Sequence, residues 1–194
     1  MPRLFTALEV PGEVALSLSF LRGGLPGARW IDAENYHITL RFIGDTDFRT
    51  ADELVNALAR VERNPVSIRL SGLDAFGGNK PHSLHACVER NSGLSELQAE
   101  HERIAQRVGL KPESRKFVPH VTIARLRGAK GPDVGHYLSL RGLYSAPPFI
   151  ATSFVLYSSK DSVGGGPYIV EERFPLTGKR DARPQPAAMR QAGW

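Results

Sequence analysis

One pattern occurs twice in this chain, as His37-Ile38-Thr39-Leu40 and as His120-Val121-Thr122-Ile123. In each copy a histidine and a threonine lie two positions apart within an apolar run that is typical of a β-strand. Side chains at positions i and i+2 of a strand project from the same face. Each copy therefore places an imidazole and a hydroxyl side by side on one face of a strand.

The surroundings of the two copies repeat as well. Each His-x-Thr strand is preceded by a strand, a helix with apolar residues at 3/4 spacing, and a loop. The predicted elements are strand 4–10, helix 11–22 and strand 36–43 in the first half, and strand 84–89, helix 92–108 and strand 117–126 in the second. The repetition predicts an α+β fold made by internal duplication, with two pseudo-symmetric antiparallel-sheet lobes and outer helices around a central cleft.

Between and after these repeats the pattern predicts further elements. Thr50 with Glu53 forms a capping box for another helix, and Ser92 is the expected N-cap of the helix in the second half. Residues 66–73 alternate as one strand. Residues 149–157 and 168–174 are expected to form a closing hairpin, joined by a loop that contains Gly164-Gly165-Gly166.

Composition places the chain among ordinary soluble proteins. It has 194 residues, of which 41% are hydrophobic and 23% charged, and it contains no apolar run of membrane-spanning length. We therefore expect one bilobal domain over residues 1–178, with no membrane association. The net charge of +5 favours a polyanionic partner without naming one. The basic residues 179–194 lack apolar periodicity and predict a disordered tail.

The single cysteine, Cys87, excludes an internal disulfide framework, and the N-terminal residues lack the apolar core of a signal peptide. Both features favour a cytoplasmic location. Because Cys87 lies within a predicted strand, we interpret it as a small buried side chain and not as a nucleophile.

Two imidazoles that face one cleft are suited to proton transfer, because an unperturbed pKa of about 6.5 allows one to act as a base while the other is an acid. A hydroxyl beside each can donate a hydrogen bond to a non-bridging phosphate oxygen. In-line displacement at phosphorus requires attacking and leaving oxygens on opposite sides, with charge on the equatorial oxygens. Either copy alone is explained by a half-buried histidine without a functional role. Two copies in matched surroundings favour phosphodiester chemistry.

The other histidines offer weaker alternatives. His82 and His85 have the wrong spacing for a helical zinc pair and no evident carboxylate partner, so no metal and no cofactor is expected. We interpret His85 as a structural residue, and we expect His101 on a charged helix and His136 in a loop to be solvated. No Gly-x-Ser-x-Gly nucleophile elbow occurs in the sequence.

The chain resembles the RNA 2′,3′-cyclic phosphodiesterases, historically called 2′-5′ RNA ligases, of the two-histidine phosphoesterase superfamily. The likeness extends from residue 3 to about residue 176 and is more specific than the paired motifs alone. It is carried by residues 3–8, Arg29-Trp30, residues 37–44, residues 70–73, residues 117–125, residues 156–159 and Tyr168. One departure is His85, at a position where relatives commonly have tryptophan.

The resemblance implies hydrolysis of an RNA terminal 2′,3′-cyclic phosphate to a 2′-phosphomonoester, without a metal. It implies that His37 is the proton donor to the leaving 3′-oxygen and that His120 is the proton acceptor that activates water. It also implies that Thr39 and Thr122 bind the non-bridging phosphate oxygens. By itself the sequence allows the acid and base labels to be exchanged.

The resemblance further implies that the fifth residue after each histidine contacts substrate, with Phe42 stacking on the base and Arg125 pairing with phosphate. Strict alternation puts both on the strand face opposite the histidines. A twist, a strand end or a β-bulge is therefore required to bring them into the cleft.

The expected partners are RNA ends or nucleotides with a 2′,3′-cyclic phosphate, with no obligatory protein partner and a monomeric state. The same site can run in reverse as a 2′-5′ ligase. Two alternatives to this function stay open. In the first, the substrate is a small nucleotide such as ADP-ribose cyclic phosphate. In the second, the cleft belongs to a nucleotide- or RNA-binding module without turnover.

Overall fold

The computed structural model describes residues 3–159 and 166–178. Ten strands and four α-helices alternate through this part of the chain. In order they are β1 (Arg3–Glu9), α1 (Gly12–Ser19), β2 (Ala28–Trp30), β3 (His37–Asp45), α2 (Phe48–Leu58), β4 (Val66–Ile68), β5 (Leu70–Phe76), β6 (Ser83–Val88), α3 (Ser92–Arg107), β7 (His120–Leu126), α4 (Gly131–Arg141), β8 (Phe149–Ala151), β9 (Ser153–Ser159) and β10 (Tyr168–Pro175). A 3₁₀ turn, Ala33–Asn35, separates β2 from β3.

Eight of these strands form a continuous antiparallel sheet with two parts, here called the first and the second lobe. The first lobe has the strand order β10-β9-β1-β3, and the second contains β7-β6-β5 with β2 beside β7. The two parts meet where β3 pairs with β7 at Ile38 and Val121. The remaining strands, β4 and β8, form a separate two-stranded sheet.

Each lobe takes elements from both halves of the chain. The C-terminal hairpin β9–β10 completes the first lobe beside β1, while β2 from the N-terminal half pairs with β7 in the second lobe. Helix α3 packs on β3, and α4 packs on β5. The segment after α1 contacts α4, because the Tyr137 hydroxyl donates a hydrogen bond to the Leu21 carbonyl at 2.5 Å. The duplication visible in the sequence therefore does not correspond to two consecutive lobes.

The main core lies between the sheet and its helices. Ile38 and Val121, at the junction of the lobes, are both 0% exposed. Burying apolar side chains of this size contributes about 1.5–3 kcal/mol each to folding. The junction residues thus face the core, and the residues beside them along β3 and β7 face the other side of the sheet.

Two predicted helix caps are wrong by one to three residues. Helix α2 begins at Phe48, and the side chain of Asp47 accepts a hydrogen bond from the Thr50 amide at 2.9 Å. Helix α3 is capped by Asn91, which accepts from the Leu94 amide at 2.9 Å. Asp and Asn are both preferred N-cap residues. Asp47 lies three residues before the predicted Thr50, and Asn91 lies one residue before the predicted Ser92.

Two predicted strands are each divided in the structure. Residues 66–73 belong to β4 and β5, and residues 149–157 belong to β8 and β9. In both cases the first short strand leaves the main sheet, and β4 and β8 pair with one another. Alternation along the chain contains no signal for such a change of sheet.

Of the two histidines that we expected in solvent, His101 is buried and His136 is exposed. His101 is 1% exposed, and its Nδ1 lies 2.8 Å from the hydroxyl of Thr6 on β1. Its burial between α3 and the sheet lowers its pKa to about 3. The exposure of His136 agrees with the expectation, but this residue lies on helix α4 and not in a loop.

Two predictions cannot be compared with the structure. The tail at residues 179–194 and most of the glycine-rich loop, Gly164 and Gly165, lie outside the described residues. Among the helices of the described residues, none is long and apolar enough to cross a membrane.

Candidate active site

The two His-x-Thr motifs face one another across the junction of the lobes. Because Ile38 pairs with Val121 in antiparallel register, His37 lies across from Thr122 and Thr39 lies across from His120. All four motif side chains are half-buried, whereas the pair between them is fully buried. The structure therefore brings both imidazoles and both hydroxyls together on the open face of the sheet.

Both imidazoles are held by the same local hydrogen bond. His37 Nδ1 lies 2.8 Å from the carbonyl oxygen of Asn35, and His120 Nδ1 lies 2.7 Å from that of Val118. A carbonyl only accepts, so Nδ1 carries the proton and donates it in each case. This fixes the neutral tautomer and leaves Nε2 as the nitrogen available for proton exchange.

A β-bulge follows each motif at the same two positions. In β3, Thr39 pairs with Ala7 but Arg41 pairs with the next residue, Thr6, so one residue of β3 is extra. In β7, Thr122 pairs with His85 but Ala124 pairs with Leu84. Leu40 and Arg41 are consequently both buried, and so are Ile123 and Ala124.

The bulges change the phase of alternation and turn the fifth residue after each histidine to the face of the motifs. Phe42 is 49% exposed, and its ring centroid lies 5.6 Å from that of Phe5, which also contacts His37. Arg125 is half-buried, and its charge acts on both His37 and His120. The requirement for a bulge is therefore met at both sites.

The first bulge is stabilised by an ion pair between the buried Arg41 and the half-buried Glu102. Arg41 Nε lies 2.5 Å from a carboxylate oxygen of Glu102 on α3, and the same guanidinium donates to the Lys111 carbonyl at 2.6 Å. Lys111 belongs to the segment that leads from α3 to β7. The pair thus connects the bulge after the first motif to the chain that enters the second motif.

Each catalytic candidate packs against a different set of rings. His37 contacts Phe5, Tyr157 and Tyr168, with centroid separations of 5.0, 5.7 and 5.1 Å. His120 contacts Phe76 at 4.9 Å and His85 at 5.0 Å. These neighbours restrict ring rotation. All of them except Phe76 were included in the sequence analysis, but none was assigned a contact with the histidines, because such contacts depend on strand pairing.

Burial is the main influence on the titration of the cleft histidines. It lowers the pKa of His37 to about 4, although the hydrogen bond to Asn35 opposes it, and the charges of His120 and Arg125 lower this pKa further. Burial followed by the charge of Arg125 also lowers the pKa of His120. Both imidazoles are therefore neutral at pH 7 in the free protein, and an anionic substrate would favour their protonation.

His85 occupies the open face beside the second motif. It is 2% exposed and stacks on Phe76 with a centroid separation of 4.1 Å. Burial and the nearby charge of His120 lower its pKa to about 4, and its buried Nδ1 has no hydrogen-bond partner among the described residues. These contacts agree with the structural interpretation of this residue.

A polar cavity of about 300 Å³ adjoins the motifs. Arg125 lines it from β7, Arg29 and Trp30 from β2, and Asn35 from the 3₁₀ turn. Sequence reasoning noted Arg29 and Trp30 only as part of the resemblance and assigned them no role. Within residues 3–159 and 166–178, no cluster of three or more His, Cys, Asp or Glu side chains is placed to hold a metal ion.

Comparison with known proteins supports the resemblance. Residues 8–84 and 88–168 match the family described as LigT like Phosphoesterase, so each matched stretch contains one His-x-Thr motif. Among curated relatives, a Bacillus subtilis protein named RNA 2′,3′-cyclic phosphodiesterase is 34% identical over 64% of this chain and 71% of its own length. An Aeropyrum pernix protein of the same name is 38% identical over 58% of this chain.

The match spans 64% of the Aeropyrum protein, and it spans 59% of a Geobacillus stearothermophilus relative that is 29% identical over 92% of this chain. The chain thus covers about three fifths of the length of these two relatives.

Solved structures share the fold. The Thermus thermophilus protein TT0787 has a TM-score of 0.77 and 22% identity, and the match covers 92% of this chain and 100% of the other. E. coli LigT in complex with 3′-AMP has a TM-score of 0.72 and 24% identity, covering 91% and 99%. The predicted α+β fold with two antiparallel lobes is confirmed. With both halves of its duplicated sequence matched and its sheet shared with these structures, the chain belongs to the LigT-like phosphoesterase family.

Proposed function

We propose that this protein hydrolyses the terminal 2′,3′-cyclic phosphate of RNA to a 2′-phosphomonoester, by general acid–base catalysis at His37 and His120 and without a metal ion. The observation that carries the proposal is the pairing of the two motifs across β3 and β7, with each Nδ1 bonded to a main-chain carbonyl. The substrate class is supported by the names of the curated relatives.

The reaction is an in-line displacement at phosphorus. His120 Nε2 accepts a proton from water as the water oxygen forms a bond to phosphorus. The bond between phosphorus and the 3′-oxygen breaks, and His37 Nε2 donates a proton to that oxygen. One water is consumed, and exchange with solvent restores the protonation states. Pre-positioned acid and base groups of this kind each contribute roughly 10²–10⁴-fold to rate.

The hydroxyls and the guanidinium act on the charge of the phosphate. Thr39 and Thr122 stand beside the opposite imidazoles and donate to the two non-bridging oxygens, which gain charge in the transition state. Arg125 lies on the same face and supplies a positive charge to these oxygens. We assign stacking on the terminal base to Phe42, and its half-exposed ring beside Phe5 supports this role.

The experiment is hydrolysis of a short RNA with a 2′,3′-cyclic phosphate end in excess EDTA, with the 2′- and 3′-phosphate products resolved. Wild type is compared with the His37→Ala and His120→Ala variants. Turnover to the 2′-phosphate that is insensitive to EDTA and lost in both variants supports the proposal. Binding of the RNA without turnover would instead support a binding module, and turnover that needs an added metal would overturn the mechanism.

A further inference from the structure

Two arginines stand directly opposite each other beside the active site. In the pairing of β2 with β7, Arg29 is the partner of Arg125. Opposed residues of antiparallel strands project from the same face, with their Cβ atoms about 4.5–5.5 Å apart. The neighbour Trp30 contacts Tyr137 of α4 on the core side, which places Arg29 on the open face. Arg29 therefore shares the face of His120 and Arg125.

Neither guanidinium of this pair is neutralised by the part of the chain that the structure describes. Other arginines of the described residues form ion pairs with carboxylates. Examples are Arg22 with Asp32 at 3.0 Å, Arg41 with Glu102 at 2.5 Å and Arg63 with Glu96 at 2.6 Å. Among the described residues no ion pair or hydrogen bond involves the guanidinium of Arg29 or of Arg125. Like charges directly opposite one another destabilise a sheet. Two opposed arginines without carboxylate partners at the mouth of a cleft are the arrangement expected of an anion site.

The cavity that both arginines line has the polarity that a nucleotide requires. Asp32 pairs with Arg22 at 3.0 Å. Among the described residues that line the cavity, the exposed Glu34 is then the one carboxylate without an ion pair. Guanidinium groups bind phosphate, and a carboxylate accepts hydrogen bonds from ribose hydroxyls or base amino groups. A volume of about 300 Å³ lies at the lower end of the range for small-molecule sites and suits one nucleotide unit.

We propose that Arg29 binds the internucleotide phosphate on the 5′ side of the terminal nucleotide, so that the enzyme prefers oligonucleotides to mononucleotides. This inference rests on the proposed function, in which the terminal cyclic phosphate lies between His37 and His120. Arg125 borders both the motifs and the cavity. The cavity is therefore the space that the RNA enters on its way out of the catalytic centre. Arg125 and Arg29 then hold two successive phosphates, the terminal cyclic phosphate and the internucleotide phosphate.

The test compares three substrates: a nucleoside 2′,3′-cyclic phosphate, a dinucleotide with the same cyclic end, and that dinucleotide with a neutral methylphosphonate linkage. Wild type should show a kcat/KM roughly 10–100-fold higher for the charged dinucleotide than for the other two, as a charge-assisted hydrogen bond allows. The Arg29→Ala variant should lose this preference, and Arg29→Lys should restore part of it.

The matched control is Arg49→Ala, which removes the same charge from an 89% exposed side chain on α2. It should keep the preference for the dinucleotide. The salt dependence provides a second measurement, because salt screens the contact between the Arg29 guanidinium and the internucleotide phosphate. The KM for the dinucleotide should rise less steeply with salt in Arg29→Ala than in wild type, and Arg49→Ala should leave this dependence unchanged.

The outcomes separate the two proposals. Equal kcat/KM for all three substrates in wild type, or an equal loss on all three in Arg29→Ala, would overturn the subsite and leave the proposed function intact. No turnover of any substrate by wild type would overturn both. A fall in the melting temperature of Arg29→Ala would indicate a structural role, whereas relief of the Arg29–Arg125 repulsion predicts an unchanged or slightly higher value.

Discussion

The surroundings of His37 and His120 differ although their backbones repeat. Each histidine donates Nδ1–H to the carbonyl two residues earlier, and each strand bulges at the third and fourth residues after the histidine. Around His37, however, the contacts are aromatic, and the bulge presents Phe42. Around His120 one contact is a second imidazole, and the bulge presents Arg125.

The duplication thus places the candidate reacting groups in pairs, and under the proposed function the residues around them divide the substrate between the two lobes. The first lobe offers a ring for a base, and the second offers a cation for phosphate. Two symmetric histidines bind an asymmetric nucleotide in a single orientation only when the two sides of the cleft differ.

The largest effect is expected from removing either imidazole. His37→Ala and His120→Ala should each lower kcat by about 10³-fold or more, because each removes one of two concerted proton transfers. The double variant should be little worse than either single one, since groups that act as a unit are non-additive. Single-turnover rates with an RNA 2′,3′-cyclic phosphate measure this. A loss confined to one variant would contradict the paired roles.

The next largest effect is that of pH. Catalysis needs one protonated and one neutral imidazole, and burial lowers the pKa of His37 to about 4 and lowers that of His120 as well. Above the higher of these values the free enzyme loses its proton, so kcat/KM should have its maximum below about pH 6.5 and fall by about tenfold per pH unit on the alkaline side. The profile of kcat should extend to higher pH, because bound phosphate favours protonation. Coincident profiles with a maximum above about pH 7 would contradict the expectation.

Substitution at the fifth position should separate the two lobes. Arg125→Gln should lower kcat/KM by about 10²-fold and raise the pKa of both histidines, since its charge lowers them now. Phe42→Ala should act on KM by about tenfold through lost base stacking, and it should leave the histidine titrations in place. NMR titration with steady-state kinetics distinguishes these outcomes. A change in the pKa of both histidines in Phe42→Ala would show that the division is incomplete.

The smallest effect on rate is expected at His85. His85→Phe retains a ring that stacks on Phe76 and contacts His120, so kcat should change by less than about fivefold. The variant also removes a buried nitrogen without a partner among the described residues, which should raise the free energy of unfolding by roughly 1 kcal/mol. Kinetics and urea unfolding test both parts. A loss of kcat comparable to that of His120→Ala would give His85 a direct part in proton transfer.

Much of the site follows from local pattern. Alternation correctly places Ile38 and Val121 in the core and the histidines with their threonines on the other face. The same rule fails beyond Thr39 and Thr122, because a bulge inserts one residue and reverses the phase. The family resemblance anticipated that Phe42 and Arg125 reach the cleft, but only the pairing with β1 and β6 shows how.

Long-range pairing explains the remaining differences. His101 lies on a helix rich in charge, yet its position opposite Thr6 and Phe154 buries it. The opposition of Arg29 and Arg125 depends on β2 pairing with a strand from the other half of the chain. The predicted boundary of the domain at residue 178 and the predicted tail stay predictions.

The sequence by itself determined the candidate reacting groups, the faces of their strands, the duplication and the α+β class, because these depend on a period of two in strands and on repeated local pattern. Only the tertiary structure decided which lobe holds each element, which way Phe42 and Arg125 project, and which side chains surround each imidazole. Those properties depend on strand partners distant along the chain, and a single inserted residue changes them without altering the composition of the strand.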